Sequence, residues 1–293
     1  MKMRTEQEMM SLILGVARGD ERIRAVAMNG SRTNPNAPKD RFQDYDIVYL
    51  VTDMDAFIAD PDWIDVFGER IILQTPDDRA LFPPGPPDQY AYLMQLADGN
   101  RIDLRLSPVG CAEAYSREDK LTVVLLDKDG IMPTLPSPTD EDYRTKRPNA
   151  AQFAACCNEF WWVSTYVAKG LWREETLYAL DHLNFYVRPM LVRMLEWRVG
   201  IDTDFAVSIG KNGKYLERYV SAERWRKLID TFPRAEEREI WHALRLMGSL
   251  FREIAQETAA HLGFVYDDGE DRRVTGYLAY VEALPRTRAS NGS

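Results

Sequence analysis

The sequence predicts an α+β fold in two domains, a first over residues 1–136 in which helices and strands alternate and an all-helical second over residues 137–293. Three observations carry this. In the first half, short β-rich runs bounded by turn residues follow an amphipathic stretch, whereas the second half is dominated by long, Gly-poor segments with apolar residues at three-to-four spacing. Between the halves, Ile131–Pro138 (IMPTLPSP) puts three prolines in eight residues, the composition of a linker or an extended crossing segment. Charge divides at the same place: residues 1–136 carry 15 basic and 23 acidic side chains, net −8, and residues 137–293 carry 22 and 23, net −1.

Thr5-Glu6-Gln7-Glu8 is a capping-box pattern, and Met9, Leu12, Ile13 and Val16 behind it recur at helical spacing, which predicts an amphipathic helix over Glu6–Arg18. Arg22–Met28 reads as a strand running into Asn29-Gly30-Ser31. A polar, Pro-broken loop, Arg32–Phe42, leads to the β-rich run Tyr45–Thr52 (YDIVYLVT). Arg70–Gln74 is a further strand, Tyr90–Leu96 and Arg101–Leu106 flank the turn Asp98-Gly99-Asn100 as a hairpin, and Val123–Leu126 is a last short strand. In the second half, Ala150–Leu171, Glu174–Val199 and Ala235–Leu262 read as helices. Pro189 should kink or split the middle one, and a loop over Asp202–Gly213 follows it. The end of the chain, Ala289–Ser293, is a short polar tail.

Composition excludes several classes. Hydrophobic residues at 45% and aromatics at 11% can fill a core, which argues against a disordered chain. The longest apolar stretches fall far short of the ~18–20 residues that span a bilayer, and Glu6 and Glu8 stand where a signal peptide would have its apolar core. Three cysteines, Cys111, Cys156 and Cys157, give no disulfide framework or zinc spacing, so a reducing cytoplasm is expected. Cys156 and Cys157 read as helix-packing residues. A net charge of −9 makes nucleic acid an unlikely partner, because phosphate neutralisation needs a basic face, and it is compatible with a cationic substrate.

The residues that carry chemistry are Gly30-Ser31 and, after twelve intervening positions, Asp44-Tyr45-Asp46 entering a strand. Side chains at i and i+2 of a strand share a face, so Asp44 and Asp46 stand side by side. Two uncompensated carboxylates repel. A pair of Mg²⁺ ions resolves that repulsion, and two metals about 3.5–4 Å apart can stabilise both oxygens of an in-line phosphoryl displacement. Asp103, in RIDLRL, points opposite to Ile102 and Leu104. If its strand lies beside Tyr45–Thr52, it comes within reach of the pair. Gly30 permits close backbone approach, the following N–H groups and the Ser31 hydroxyl can hold phosphate, and Arg32 adds charge to that cradle.

Gly30-Ser31, Asp44-Tyr45-Asp46 and Asp103 together resemble the signature of the nucleotidyltransferase superfamily that includes DNA polymerase β. Longer blocks resemble the aminoglycoside 6-adenylyltransferases, the streptomycin-modifying family. These are Asp20-Glu21-Arg22-Ile23-Arg24, Gly30-Ser31-Arg32, Phe42–Ile47, Cys156–Trp161, Ala179-Leu180-Asp181-His182 and Gly210-Lys211-Asn212. The resemblance runs from about Met3 to Tyr280, and it departs from the superfamily pattern at Asn29, where an apolar residue usually precedes the glycine.

This resemblance implies a polymerase-β-like first domain with a mixed sheet. It also implies Mg²⁺-dependent transfer of AMP from ATP to a hydroxyl of streptomycin, with release of pyrophosphate. Asp44 and Asp46 would bind the metal, with two ions expected. Asp103 matches the third carboxylate, which in related enzymes is a general base or a metal ligand. Lys211, in a Gly/Asn-containing loop, suits a grip on the triphosphate. The cationic acceptor wants carboxylates in bidentate geometry, and Glu159 and Asp181 are the candidates in the second domain. Trp161, Trp162, Trp172 and Tyr166 read as core, as does His182. Two other readings are the same chemistry on another acceptor (another aminoglycoside, a tRNA end or a protein hydroxyl) and a non-catalytic nucleotide-binding regulator.

Overall fold

A computed structural model describes residues 2–78, 81, 83 and 85–285; the polar tail over residues 289–293 lies outside the described residues. The chain divides into two compact units, Met1–Asp142 and Tyr143–Ser293. The Pro-rich segment 131–138 belongs to the first of them.

The first unit is built on a six-stranded sheet. Its strands are β1 (Ile23–Met28), β2 (Tyr45–Val51), β3 (Arg70–Gln74), β4 (Tyr90–Leu96), β5 (Arg101–Pro108) and β6 (Val123–Asp127), in the order β3-β4-β5-β2-β1-β6. Every neighbouring pair is antiparallel except β2 and β5, which run parallel, so the sheet is mixed. Each expected strand is present with its ends moved by no more than two residues. The hairpin β4–β5 turns at Asp98-Gly99-Asn100, where Gly99 has φ +92° and the Asp98 carboxylate accepts the Asn100 N–H.

Helix α1 (Glu6–Gly19) starts at the expected capping box. Thr5 Oγ1 accepts the Glu8 N–H at 3.3 Å and the Glu8 carboxylate accepts the Thr5 N–H at 2.7 Å. Its buried stripe of Met9, Ile13 and Ala17 packs on one sheet face with Ile23, Tyr45, Ile47, Tyr49, Ile102, Leu104 and Leu106. The Tyr49 hydroxyl, buried in this layer, donates to the Ile13 carbonyl at 2.6 Å. Short helices α2 (Met54–Ile58) and α3 (Ala112–Tyr115) complete the unit. Tyr115 covers part of the opposite face, against Ala27 and Val48. The rest of that face is where the acidic residues lie.

The second unit is helical: α4 (Ala150–Trp172), α5 (Thr176–His182), α6 (Arg188–Asp202), α7 (Ala222–Ile229), α8 (Glu237–Leu262) and α9 (Asp268–Ala283). A π-helical turn, Leu183–Val187, joins α5 to α6 just before Pro189. The proline has no N–H to bond back and its ring crowds the carbonyl one turn earlier, so the helix widens there instead of breaking. The core is a single cluster in which Phe160 of α4 and Phe251 of α8 stack with ring centroids 3.8 Å apart. Cys156 and Cys157 are buried in it as free thiols, and burial pushes Cys156 up to about 12. Helices α7 and α9 were not among the expected elements. Among the described residues no helix is long and apolar enough to cross a membrane.

Candidate active site

Asp44 precedes β2 and Asp46 is its second residue, so both carboxylates project from the face opposite to Tyr45 and Ile47, which are buried under α1. The parallel register pairs Tyr45 with Ile102 and Asp46 with Asp103. Asp103 therefore stands directly beside Asp46, on the same face, because Ile102 and Leu104 take the core side. One step earlier in this register Arg101 comes beside Asp44. Its guanidinium forks onto Asp103, with Nε–Oδ1 at 2.7 Å and Nη2–Oδ2 at 2.8 Å, and its Nε lies 3.8 Å from Asp44 Oδ2.

Three carboxylates against one guanidinium leave a surplus of negative charge. Burial, then the neighbouring Asp103 and Asp44, push Asp46 up to about 6 against the partial relief of Arg101 and Arg32. Burial also raises Asp44, with Arg101 opposing and Asp103 adding to the rise. Oxygen donors and excess charge fit a hard divalent cation. No three acidic, His or Cys side chains among the described residues converge as a ready-made metal cage. Arg101 is the cation that stands among the acids instead.

Gly30 closes the site from β1. It has φ +76°, a left-handed backbone that disfavours a side chain. A Cβ there would lie 2.0 Å from Asp46 Oδ2. The glycine is thus required twice, by its backbone and by the carboxylate pressed against it. Ser31 follows in the 3₁₀ turn Gly30–Arg32, its carbonyl accepting Gln43 Nε2 at 3.0 Å. Asn29 hydrogen-bonds to the Asp46 carbonyl through its N–H at 2.9 Å, while its side chain donates to Thr122 Oγ1 at 2.8 Å and accepts from the Tyr115 hydroxyl. Its departure from the superfamily pattern has a polar use.

Arg32, the residue after the Gly30-Ser31 pair, is turned towards the backbone of the loop. Its guanidinium donates to the carbonyls of Asp44 (3.1 Å) and Gln43 (2.8 Å), pairs with Glu6 at 3.2 Å and lies over the Tyr45 ring. Only 7% of the side chain is exposed, and it clamps the two ends of the loop over residues 33–43. Gly30, Ser31, Asp44, Asp46 and Asp103 come together in the first unit. Glu159, Asp181 and Lys211 belong to the second. Glu159 is half-buried on α4, Asp181 is exposed on α5 with Oδ2 4.0 Å from His182 Nδ1, and Lys211 is exposed in a 3₁₀ turn, Lys211–Gly213.

Some readings of the second unit change. Trp161 is buried as expected, but Trp162 is 58% exposed. His182 is not a core histidine: it sits in a surface cluster between Tyr178, Tyr186 and Tyr166, its Nδ1 2.8 Å from the Tyr178 carbonyl. The residues that motif reasoning missed are Arg101, Gln43, Tyr115 and Thr122. Arg101 had a legible signal, since it sits two positions before Asp103 and so shares its face.

A mixed sheet presenting this acidic row beneath a glycine-serine turn is the framework of a nucleotidyltransferase. Known proteins narrow the class. A family model described as streptomycin adenylyltransferase matches residues 3–281. The chain is 45% identical over 283 residues to an aminoglycoside 6-adenylyltransferase of Bacillus subtilis, covering 96% of this chain and 98% of that one. It is 44% identical to one of Campylobacter jejuni, covering 94% and 95%. A crystal structure of an aminoglycoside 6-adenyltransferase from Bacillus subtilis aligns with 40% identity and a TM-score of 0.48, over 96% of this chain and 100% of that one. The chain belongs to the streptomycin adenylyltransferase family.

Proposed function

We propose that the chain transfers the adenylyl group of ATP to the 6-hydroxyl of streptomycin in a Mg²⁺-dependent reaction that releases pyrophosphate and inactivates the drug. The observation that carries this reading is the register that sets Asp103 beside Asp46 on the face that also bears Asp44. The acceptor is supported by the relatives, named as aminoglycoside 6-adenylyltransferases along nearly their whole length. Free thiols and a nucleotide co-substrate fit a cytoplasmic enzyme.

Asp44 and Asp46, with Asp103, would hold the metal, two ions in all. When bound it supplies positive charge to the phosphates and to the departing pyrophosphate. The remaining work falls to the chain. The acceptor oxygen bonds to the α-phosphorus as the bond from that phosphorus to the α,β-bridging oxygen breaks, and the electron pair leaves with pyrophosphate. Asp103 takes the hydroxyl proton. A carboxylate has about four lone-pair sites and the Arg101 fork uses two, so Asp103 is oriented and still able to accept. Gly30 and Ser31 admit the phosphates to the backbone. Lys211 grips the polyphosphate, and Glu159 and Asp181 take the guanidinium groups of the acceptor.

The test is pyrophosphate release from Mg·ATP with and without streptomycin, for the wild type and Asp103→Asn. Streptomycin-dependent release that disappears in the variant, with Mg·ATP affinity kept within a few-fold, is the expected result. A hundredfold loss of ATP affinity would make Asp103 chiefly a metal ligand. Bound ATP with no stimulation by streptomycin would overturn the acceptor and point to another hydroxyl.

A further inference from the structure

Arg188, the first residue of α6, is buried, with 7% of its surface exposed. Its guanidinium donates to three neutral acceptors: Asn184 Oδ1 at 3.2 Å, Thr231 Oγ1 at 2.5 Å and the Thr231 carbonyl at 2.8 Å. It also lies over the Phe232 ring at 3.6 Å. No ion pair joins it to a carboxylate among the described residues, so burial pushes it down to about 10 with no acidic neighbour opposing. A guanidinium has five N–H donors, and these contacts use three. An enclosed cation without a counter-charge is costly to a fold, and a bound anion would offset that cost.

Such an anion has a place. Arg188 lines a cavity of about 420 Å³ together with Asn184, Arg193, Glu196, Gly210 and Asn212. The one acid in the wall, Glu196, is already offset: Arg193 Nε lies 3.6 Å from it, and the Thr145 hydroxyl also reaches it. The cavity wall also includes a turn with left-handed backbone at Gly210 (φ +73°), Asn212 (φ +57°) and Gly213 (φ +76°). Within the turn the Gly213, Lys214 and Tyr215 N–H groups donate to the Gly210, Lys211 and Ile209 carbonyls and the Gly210 N–H to Ser208 Oγ, so what the turn brings to an anion is side-chain charge. The exposed cation Lys211 belongs to the same turn.

We infer that this cavity is an anion site that takes a phosphate group, either from the polyphosphate of ATP or as free pyrophosphate, with Arg188 as its buried anchor. The inference deepens the proposed function, since it rests on a nucleotide being the co-substrate.

The experiment is calorimetric titration of the full-length protein with ATP, AMP and inorganic pyrophosphate, each with Mg²⁺, for wild type, Arg188→Lys and Arg193→Gln. Arg188→Lys keeps a charge and loses the fork; it should weaken ATP and pyrophosphate at least tenfold and leave AMP within twofold. Arg193→Gln, on the exposed rim, frees the Glu196 charge and should weaken both about threefold to tenfold. It decides the matter if Arg188→Lys does not fold. Loss confined to pyrophosphate assigns the cavity to the leaving product, and loss for both assigns it to the nucleotide. Affinities within twofold of wild type in both variants overturn the site while the adenylyl-transfer reading stands. A wild type that binds pyrophosphate through Arg188 and does not bind ATP overturns that reading while the anion site stands.

Discussion

The two units carry their uncompensated charge in opposite ways. In the first, three carboxylates crowd one sheet face around a single guanidinium, partly open to water, with Asp46 held up to about 6 by burial and by its neighbours. In the second, one guanidinium is shut among neutral acceptors with no acid beside it. Enclosed acids elsewhere show the opposite case, Asp98 paired with Arg4 in the first unit and Asp271 with Arg252 in the second. Groups perturbed by burial and by like charges cluster at functional sites.

The strongest way to break this contrast is to remove a member of the acidic row. Asp46→Asn should lower kcat at least a thousandfold with no loss of melting temperature, since it deletes a carboxylate that is already strained by its neighbours. An active variant would mean that the row is structural. Gly30→Ala comes next. It forces a Cβ into the Asp46 carboxylate and into a left-handed backbone, so activity should fall about a hundredfold and stability by about 1–2 kcal/mol. Adding Asp46→Ala to Gly30→Ala should restore part of the stability and none of the activity. Additive losses in that double variant would show that the two positions do not press on each other.

A smaller effect separates satisfied from unsatisfied acids within one unit. Asp98 is 7% exposed. Burial raises it, but hydrogen bonds from Arg4 and Asn100 outweigh that and hold it down at about 2. Its folded pKa lies below its unfolded one, so its contribution is complete above about pH 4 and lost as pH falls towards 2. Asp98→Asn should cost about 1–2 kcal/mol at pH 7 and almost nothing at pH 2, read from urea melts. The sign for Asp46 is the reverse, because its pKa is raised: acidification relieves it. The smallest effect is expected from Arg32→Lys, which loses a fork and a ring contact. Stability should drop by about 1 kcal/mol and KM for ATP should stay within threefold; a tenfold rise in KM would return Arg32 to the phosphates.

What was legible in the sequence was what is local. The capping box, the alternation in β2 and the Asp98-Gly99-Asn100 turn each specify themselves within a few residues. Asp103 could be read only by supposing which strand lay beside β2, and the register then set it opposite Asp46. The contacts of Arg32 were not legible, because a cation next to a glycine-serine turn looks the same whether it faces a ligand or the carbonyls of Gln43 and Asp44. Helix α9 was missed because only Asp271, Leu278 and Val281 are buried along it, too few apolar positions to give a period. Arg188 was invisible since burial of a charge depends on Thr231 and Phe232, more than forty positions away.

The parallel pairing of β2 with β5 also bears on how the protein is made. Antiparallel neighbours can zip from a turn, as β4 and β5 do, but parallel strands need a long connection to close first. Here that connection runs from Thr52 to Asn100, and Asp103 lies beyond it. A nascent chain that has folded β1 and β2 therefore holds Asp44 and Asp46 and still lacks their third partner. The acidic row exists only once the β4–β5 hairpin has docked, so its assembly reports a long-range closure of the first unit and not the formation of its earliest strands.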